Sequence, residues 1–127
     1  MGSDNLHENP DVLSDHTKDL HRAIVSLMEE LEAVDWYQQR AEACTDDELR
    51  AVLVHNKNEE IEHAMMNLEW IRRNEPKFAE NIDTYIKSTG PILEVEEKTK
   101  PEDGSGNAAR GPSSVSGSLG IGSLKGK

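Results

Sequence analysis

The chain has 127 residues, one cysteine and a net charge of −11, which is the size of one small domain. A strongly acidic chain argues against a nucleic-acid-binding surface, and no apolar run approaches the length of a membrane span. The N-terminus lacks a basic stretch followed by an apolar one, so no secretory signal is expected. The single cysteine, Cys44, can form no internal disulfide, which fits a cytoplasmic setting.

The charge is distributed unevenly along the chain. Residues 99–127 contain four Lys or Arg and two Asp or Glu, so this tail carries +2 and the remainder carries −13. The tail is also rich in Gly, Ser and Pro, which predicts a flexible linker over residues 99–117. The acidic part attracts cations, although most of its carboxylates are expected simply to face water.

Helical periodicity follows a short polar arm, residues 1–13. Asn9 followed by Pro10 is a helix-start signal, so a first helix is predicted from there or slightly later. Neither Gly nor Pro occurs from Asp11 to Glu75, which favours long helices. The apolar residues recur at helical spacing and predict one buried face: Ala23, Ile24, Leu27, Met28, Leu31, Val34 and Ala41.

A second helix is predicted from about Asp46 to about Arg73. Thr45 and Glu48, in the stretch "TDDE", have the spacing of a capping box that would begin it. The residues that mark its apolar face are Leu49, Leu53, Trp70 and Ile71. Met65, Met66, Trp36 and Trp70 are interpreted as packing residues.

A short third helix is predicted after "NEP", with Asn74 as its cap and Pro76 in its first turn. Its small apolar side consists of Phe78, Ile82, Tyr85 and Ile86, and "TGP" at 89–91 ends it. Two long helices joined by a short turn predict an all-α antiparallel hairpin. Because a hairpin alone buries little surface, it is expected to complete a four-helix bundle by homodimerisation.

Polar residues interrupt both apolar stripes at their centres. Glu60 and His63 occupy the middle of the second helix's stripe, which otherwise contains Leu49, Leu53, Asn56, Asn67 and Trp70. Glu30 occupies the middle of the first helix's stripe, with Tyr37 two turns further on. Burying an unpaired carboxylate costs several kcal/mol, so both glutamates need a cation, a proton or a partner.

These three residues predict half of a two-metal site. Neither stripe contains a Lys or Arg that could neutralise Glu30 or Glu60, and carboxylate oxygen and imidazole nitrogen suit iron, manganese or zinc. Di-iron bundle proteins use a Glu from each of two helices and a Glu-x-x-His from each of the other two. One Glu30 and one Glu60–His63 motif supply half of that set, so a two-fold homodimer would complete it.

Each of these assignments has a simpler alternative. A lone Glu-x-x-His is common in acidic helices and can be an ordinary surface pair. Tyr37 is either a core aromatic or a group that bonds a ligand or donates an electron. Two further acidic sets either bind cations or only face water: Glu29 and Glu32 beside Glu30, and His55, Glu59 and Glu62 on a neighbouring face of the second helix.

The segments "HRAIVSLMEELEAVDWY" and "HNKNEEIEHAMMNLEWIRRNEP" closely resemble the encapsulated ferritins. The last ten residues, "SLGIGSLKGK", resemble the C-terminal peptide by which cargo proteins dock inside encapsulin shells. The resemblance covers nearly all of residues 14–98 and residues 118–127. It implies a ferritin-like helical domain over 14–98 that dimerises, assembles into a ring that is typically a decamer, and oxidises Fe(II) with dioxygen.

The resemblance also implies a role for individual residues. Two irons per dimer would bind at a ferroxidase centre that Tyr37 adjoins, and its ligands would be Glu30, Glu60 and His63. Glu29 and Glu32 would form a site through which ions enter, open to calcium or another divalent cation. His55, Glu59 and Glu62 would form an outer metal site. Leu119, Ile121 and Leu124 would contact the encapsulin shell protein, placing the ring inside a nanocompartment that stores the iron.

Three competing functions use the same residues differently. A non-catalytic metal-binding helical oligomer would bind zinc or manganese at the stripe without consuming oxygen. A purely structural oligomer would bind no metal there, and a peroxide-consuming two-metal protein would turn over faster with hydrogen peroxide. No nucleic-acid or membrane partner is expected.

Overall fold

The computed structural model describes residues 6–100. Within this range the chain is helical and contains no strand, as the all-α prediction requires. The C-terminal peptide, with Leu119, Ile121 and Leu124, and nearly all of the predicted linker lie outside the described residues. A 3-10 turn at Pro10–Val12 precedes four α-helices: α1 (Asp15–Ala43), α2 (Asp47–Asn74), α3 (Pro76–Tyr85) and α4 (Ile92–Thr99).

The chain divides into two units, one ending at Asn74 and one beginning at Glu75. In the first unit α1 and α2 pack against each other as an antiparallel hairpin. Two contacts between the helices show the antiparallel direction, because a residue further along α2 contacts a residue further back along α1. Arg50 contacts the carbonyl of Ala41, and Lys57 donates to the Gln38 side chain at 2.8 Å. The predicted hairpin is therefore confirmed.

The signal at Asn9 and Pro10 begins a 3-10 turn rather than the long helix α1. Asn9 accepts a hydrogen bond from the Asp11 N–H at 2.9 Å and so caps only the 3-10 turn. The chain then becomes extended at Leu13, and Ser14 caps α1 by accepting from the Thr17 N–H at 3.1 Å. The helix thus begins slightly later than Pro10, as the sequence allowed.

The turn between α1 and α2 corrects the predicted capping box. Leu49 donates its N–H to the Asp46 carboxylate at 3.0 Å, so Asp46 rather than Thr45 occupies the cap of α2. A carboxylate at this position also interacts favourably with the positive end of the helix dipole. Both residue types cap helices well, and the path of the three-residue turn selects between them.

The second unit begins one residue later than its sequence predicts. Glu75 caps α3 by accepting from the Lys77 N–H at 3.0 Å, whereas Asn74 still belongs to α2 and donates to the Trp70 carbonyl. The helix ends at Tyr85, before the "TGP" stop, and Lys87 then adopts a positive φ of 67°. The short helix α4 was not predicted.

The hairpin buries few apolar side chains completely. Ala41, Ala64 and Ile71 are the buried residues of the described chain. Several large apolar side chains of this unit remain substantially exposed, namely Leu31, Trp36, Leu49, Val52, Ile61, Met65, Met66 and Trp70. The hairpin therefore leaves apolar surface that a second copy could cover, and the homodimer stays a prediction. None of the helices described in residues 6–100 is long and apolar enough to cross a membrane.

Candidate metal centre

Glu30, Glu60 and His63 lie together midway along the hairpin. Glu60 and His63 are three residues apart on α2, so their side chains project from adjacent turns of one helix face. Antiparallel packing brings Glu30 of α1 opposite them. One ligand atom from each of the three side chains lies within 4.8 Å of the other two. Among residues 6–100, these three residues are the one group of three or more acidic, histidine or cysteine side chains that lie close enough to share a metal ion.

The imidazole of His63 is the common neighbour of both carboxylates. Its Nδ1 atom lies 3.2 Å from Glu60 Oε1 and 3.7 Å from Glu30 Oε1. The shorter distance is within hydrogen-bonding range, and the longer one is an electrostatic contact. Nδ1 is therefore the histidine nitrogen that faces the two glutamates.

The two glutamates have opposite pKa shifts because their carboxyl groups bond to each other. The pKa of Glu30 is raised, first because its carboxyl bonds to Glu60 and then because burial disfavours its charge. The pKa of Glu60 is lowered, mainly because it accepts that bond from Glu30 and also bonds to His63. Two carboxylates this close resist simultaneous ionisation unless a cation neutralises them.

His63 is the cation that the hairpin itself offers to these carboxylates. Its pKa is raised, first by the bond to Glu60 and then by the charges of Glu30, Glu60 and Glu59. Glu30 and His63 of the metal-free centre thus hold their protons more tightly than isolated side chains would. A divalent cation would displace those protons and take their place between the same oxygen and nitrogen atoms.

The three side chains are partly open to solvent. The side chains of Glu30 and Glu60 are each 25% exposed, and that of His63 is 44% exposed. Three protein donors leave coordination positions open for a substrate or for ligands from a second copy. Carboxylate oxygen and imidazole nitrogen form a mixed donor set that suits iron, manganese or zinc better than calcium.

The residues of the other two predicted metal sites are mostly exposed in the described chain. Glu32 is half-buried, whereas the remaining members are exposed: Glu29, His55, Glu59 and Glu62. Within residues 6–100, His55, Glu59 and Glu62 do not form a group close enough to share one ion. The ion-entrance site and the outer site therefore stay predictions.

Tyr37 has a neighbour that the sequence analysis missed. The Arg40 guanidinium carbon lies 5.6 Å from the centre of the Tyr37 ring and 5.7 Å from that of Trp36. These distances are typical of cation–π contacts. The spacing of three and four residues along α1 was the available signal, since residues so spaced are neighbours on a helix. The predicted role of Tyr37 at the centre remains open.

Similar proteins were found by family, by sequence and by structure. The family model EncFtn-like matches residues 5–89. The chain is 55% identical to an encapsulated ferritin-like protein of Rhodospirillum rubrum over 129 residues, covering 100% of this chain and 92% of that protein. It is 46% identical to a ferritin-like protein of Thermotoga maritima over 97 residues, covering 76% and 85% respectively.

A solved structure supports the same relationship. The crystal structure of a protein from Nitrosomonas europaea matches with a TM-score of 0.67 and 55% identity. The match covers 69% of this chain and 97% of that one. Taken with the family match over the helical part, these similarities show that the chain belongs to the EncFtn-like family of encapsulated ferritin-like proteins.

Proposed function

We propose that the protein is a ferroxidase that oxidises Fe(II) to Fe(III) with dioxygen. The observation that carries the proposal is the convergence of Glu30, Glu60 and His63 from two helices within 4.8 Å. Membership of a ferritin-like family supports iron as the metal. In this proposal iron is the substrate, and the chain supplies its binding site.

A second copy of the chain would complete the site. Three donors per chain are half of the set that a two-metal bundle centre uses, and they lie on a hairpin with apolar surface left exposed. A two-fold axis beside the centre would double the donors to four carboxylates and two imidazoles. The dimer would then assemble into a ring, with a decamer as the expected size.

The protein's own chemistry is positioning and proton exchange. Glu30, Glu60 and His63 would bind two Fe(II) ions per dimer and hold them close together. Binding would release the protons that the centre retains without metal, which the raised pKa values of Glu30 and His63 predict. Two Fe(II) ions give up two electrons, enough to reduce one dioxygen to hydrogen peroxide with two protons taken up.

The shell connection rests on the relatives and on the tail. The similar protein of Rhodospirillum rubrum is named as encapsulated, and this chain ends in "SLGIGSLKGK". Leu119, Ile121 and Leu124 would fill apolar pockets on an encapsulin shell protein, and many tails on one ring would bind with avidity. The ring would then act inside a cytoplasmic nanocompartment, where the oxidised iron is stored.

The first experiment is oxygen uptake after Fe(II) is added to metal-free protein. Replacing a residue that only supports a metal ligand typically lowers metal affinity or activity by about 10–100-fold. Because Glu60 would be a ligand itself, Glu60→Ala should lower the rate of oxygen uptake by about 100-fold or more. Glu42→Ala is the matched control, because Glu42 is an exposed acid of α1 outside the proposed sites. Equal rates for the wild type and Glu60→Ala would show that the centre does not catalyse the reaction.

The same experiment separates the main alternative. A non-catalytic metal-binding oligomer would bind a divalent metal at Glu60 and His63 yet consume oxygen only at the background rate. Deleting residues 118–127 tests the shell connection separately. The truncated chain should oxidise iron normally but fail to load into co-expressed shells, and normal loading would exclude a docking role for the peptide.

A further inference from the structure

Two asparagines of α2 lie on either side of the metal centre. Asn56 comes four residues before Glu60 on this helix, and it belongs to the same stripe. Asn67 comes four residues after His63 and belongs to that stripe as well. The two side-chain amides are therefore equally far from the midpoint of the Glu60–His63 motif.

Both asparagines lie on the side of α2 that a second hairpin would cover. The buried Ala64 and Ile71 mark the direction of α1. At about 100° per residue, both asparagines lie about 60° from that direction, on the side that carries His63. They are half-buried in the single hairpin, so a second hairpin closed over the centre would remove the water that still reaches them.

Neither side-chain amide has a partner inside the hairpin. Asn74, on the same helix, donates to the Trp70 carbonyl four residues back at 2.8 Å. Within residues 6–100, the side-chain amides of Asn56 and Asn67 form no such bond and no other hydrogen bond to a protein group. An amide that is buried without a partner is costly, because it loses its bonds to water and gains none.

A two-fold axis beside the centre supplies the missing partners. If the axis is perpendicular to α2, the two copies of this helix run antiparallel, and positions equally far from the midpoint of the Glu60–His63 motif meet. Asn56 then meets the partner subunit's Asn67, and the reverse contact forms on the other side of the axis. Each amide has an acceptor oxygen and two N–H donors, so both contacts form amide–amide hydrogen bonds.

The remainder of the stripe is self-complementary in the same register. Leu53 comes seven residues before Glu60, and Trp70 comes seven residues after His63, so these two meet as an apolar pair. Glu60 meets the partner's His63, which attracts it. An axis parallel to α2 would instead set each Glu60 against the other, and a slip by one heptad would set Leu53 against the partner's His63.

We propose that Asn56 and Asn67 pair across the two-fold axis and fix the register in which two copies assemble the metal centre. The inference rests on the proposed dimeric centre, because it names the contact that aligns the two halves. In coiled coils a polar Asn in an apolar interface specifies register at some cost in stability. The two asparagines are positioning residues, since they lie outside the ligand set of Glu30, Glu60 and His63.

The first test is a double-substitution cycle on the full-length chain, with dimer dissociation measured by sedimentation in the presence of Zn²⁺. Asn56→Leu and Asn67→Leu should each weaken the dimer by about tenfold, because each leaves an amide of the partner without its bond. The double variant should associate at least as tightly as the wild type, because leucine then meets leucine.

Asn58→Leu is the matched control for this cycle, because Asn58 is exposed on α2 and lies outside the stripe. Additive losses from the two single substitutions would mean that the positions do not touch, and would overturn the inference. A wild type that stays monomeric with metal would refute the shared centre and this inference together.

The second test records oxygen uptake after Fe(II) is added to the same variants. The double leucine variant should oxidise iron several-fold more slowly than the wild type although it associates as tightly, because leucines do not specify the register. Oxidation at the wild-type rate would overturn the register role. Absence of oxygen uptake by a wild-type dimer would refute the ferroxidase instead, and the association cycle would still decide whether the amides pair.

A charged pair tests the facing positions directly. Asn56→Asp and Asn67→Lys should each weaken the dimer, because each places a charge without a partner in the interface. Combined in one chain, they should restore association, because opposite charges then meet twice across the axis. The two positions are eleven residues apart, about 16 Å along α2, so the pair cannot form within one chain. A combined variant as weak as the worse single one would overturn the inference.

Discussion

Two polar clusters join α1 to α2, and they are neutralised in opposite ways. At the turn, Arg50 donates to the Ala41 carbonyl at 3.3 Å and to the Cys44 carbonyl, and it pairs with Asp47 at 2.8 Å. Midway along the hairpin, Glu30 and Glu60 lie against each other and against His63, so a histidine takes the place that Arg50 takes at the turn.

The difference separates a cluster that serves the fold from one that fits the proposed metal-binding function. The turn is complete within one chain, because a permanently charged guanidinium adds a second donor to the Ala41 carbonyl and bonds to the Cys44 carbonyl. The centre is incomplete, because its carboxylates depend on protons and on a histidine whose charge varies with pH. In the proposed function, metal ions would supply at the centre the lasting positive charge that Arg50 supplies at the turn.

Metal should therefore stabilise the centre, and this is the largest effect we expect. A redox-inert ion such as Zn²⁺, added at a concentration about 100 times its dissociation constant, would stabilise the folded protein by about 2.7 kcal/mol. Thermal unfolding of metal-free protein with and without Zn²⁺ measures this shift. The same ion should not shift the unfolding of Glu60→Gln.

Without metal, Glu60→Gln tests whether the glutamate pair itself stabilises the fold. Glu60→Gln removes the repulsion between Glu60 and Glu30 but also the attraction between Glu60 and His63, and the two effects oppose each other, so the metal-free variant should unfold close to the wild-type temperature. A metal-free variant much less stable than the wild type would mean that the glutamate pair serves the fold. The contrast with the turn would then disappear.

At the turn, removing the cation should destabilise the protein. Arg50→Met keeps much of the side-chain length but removes the guanidinium donor to the Cys44 carbonyl and one of the two donors to the Ala41 carbonyl. Hydrogen bonds from charged groups contribute about 1.5–3 kcal/mol, and partial exposure lowers that, so we expect a loss of about 2 kcal/mol in chemical denaturation.

Arg22→Met is the control for Arg50→Met, because Arg22 makes an exposed ion pair with Asp19. Such pairs contribute at most about 1 kcal/mol. Equal losses from the two variants would mean that the contacts of Arg50 with the turn carbonyls add nothing to stability.

A smaller effect is the pH dependence that His63 gives the metal-free protein. Its folded-state pKa is raised above 6.5, so its stabilising contribution is fully present below that pH and is lost as pH rises through the folded value. The melting temperature should therefore decline over that interval. His63→Gln should flatten the curve there, and an unchanged curve would contradict the assignment.

The smallest expected effect is the acid dependence of stability that comes from Glu69, a carboxylate paired with two arginines. Glu69 bonds to Arg72 and Arg73, which lower its pKa to about 2. Its contribution is present above 4.5 and is lost as pH falls from there towards 2. Glu69→Gln should remove this part of the acid dependence, and added salt should weaken it because the group is exposed. If added salt left the acid dependence of stability unchanged, a group other than Glu69 would be responsible for it.

The sequence predicted the helices better than their ends. A long stretch without Gly or Pro and a regular apolar stripe were sufficient for α1 and α2. The caps were mistaken at Thr45 and Asn74, because neighbouring residues were equally able to cap and the backbone path of each turn made the choice. The short helix α4 has too few residues to show a clear period.

The sequence by itself determined that Glu60 and His63 share a helix face, and that Glu30 lies at the centre of another. Helical periodicity is a local property, so spacing alone fixes it. Only the tertiary structure brought Glu30 to within 3.7 Å of His63 and set it against Glu60, which raises the pKa of Glu30 and lowers that of Glu60. Those features depend on the register between two helices, which the turn and side-chain packing set and no local pattern encodes.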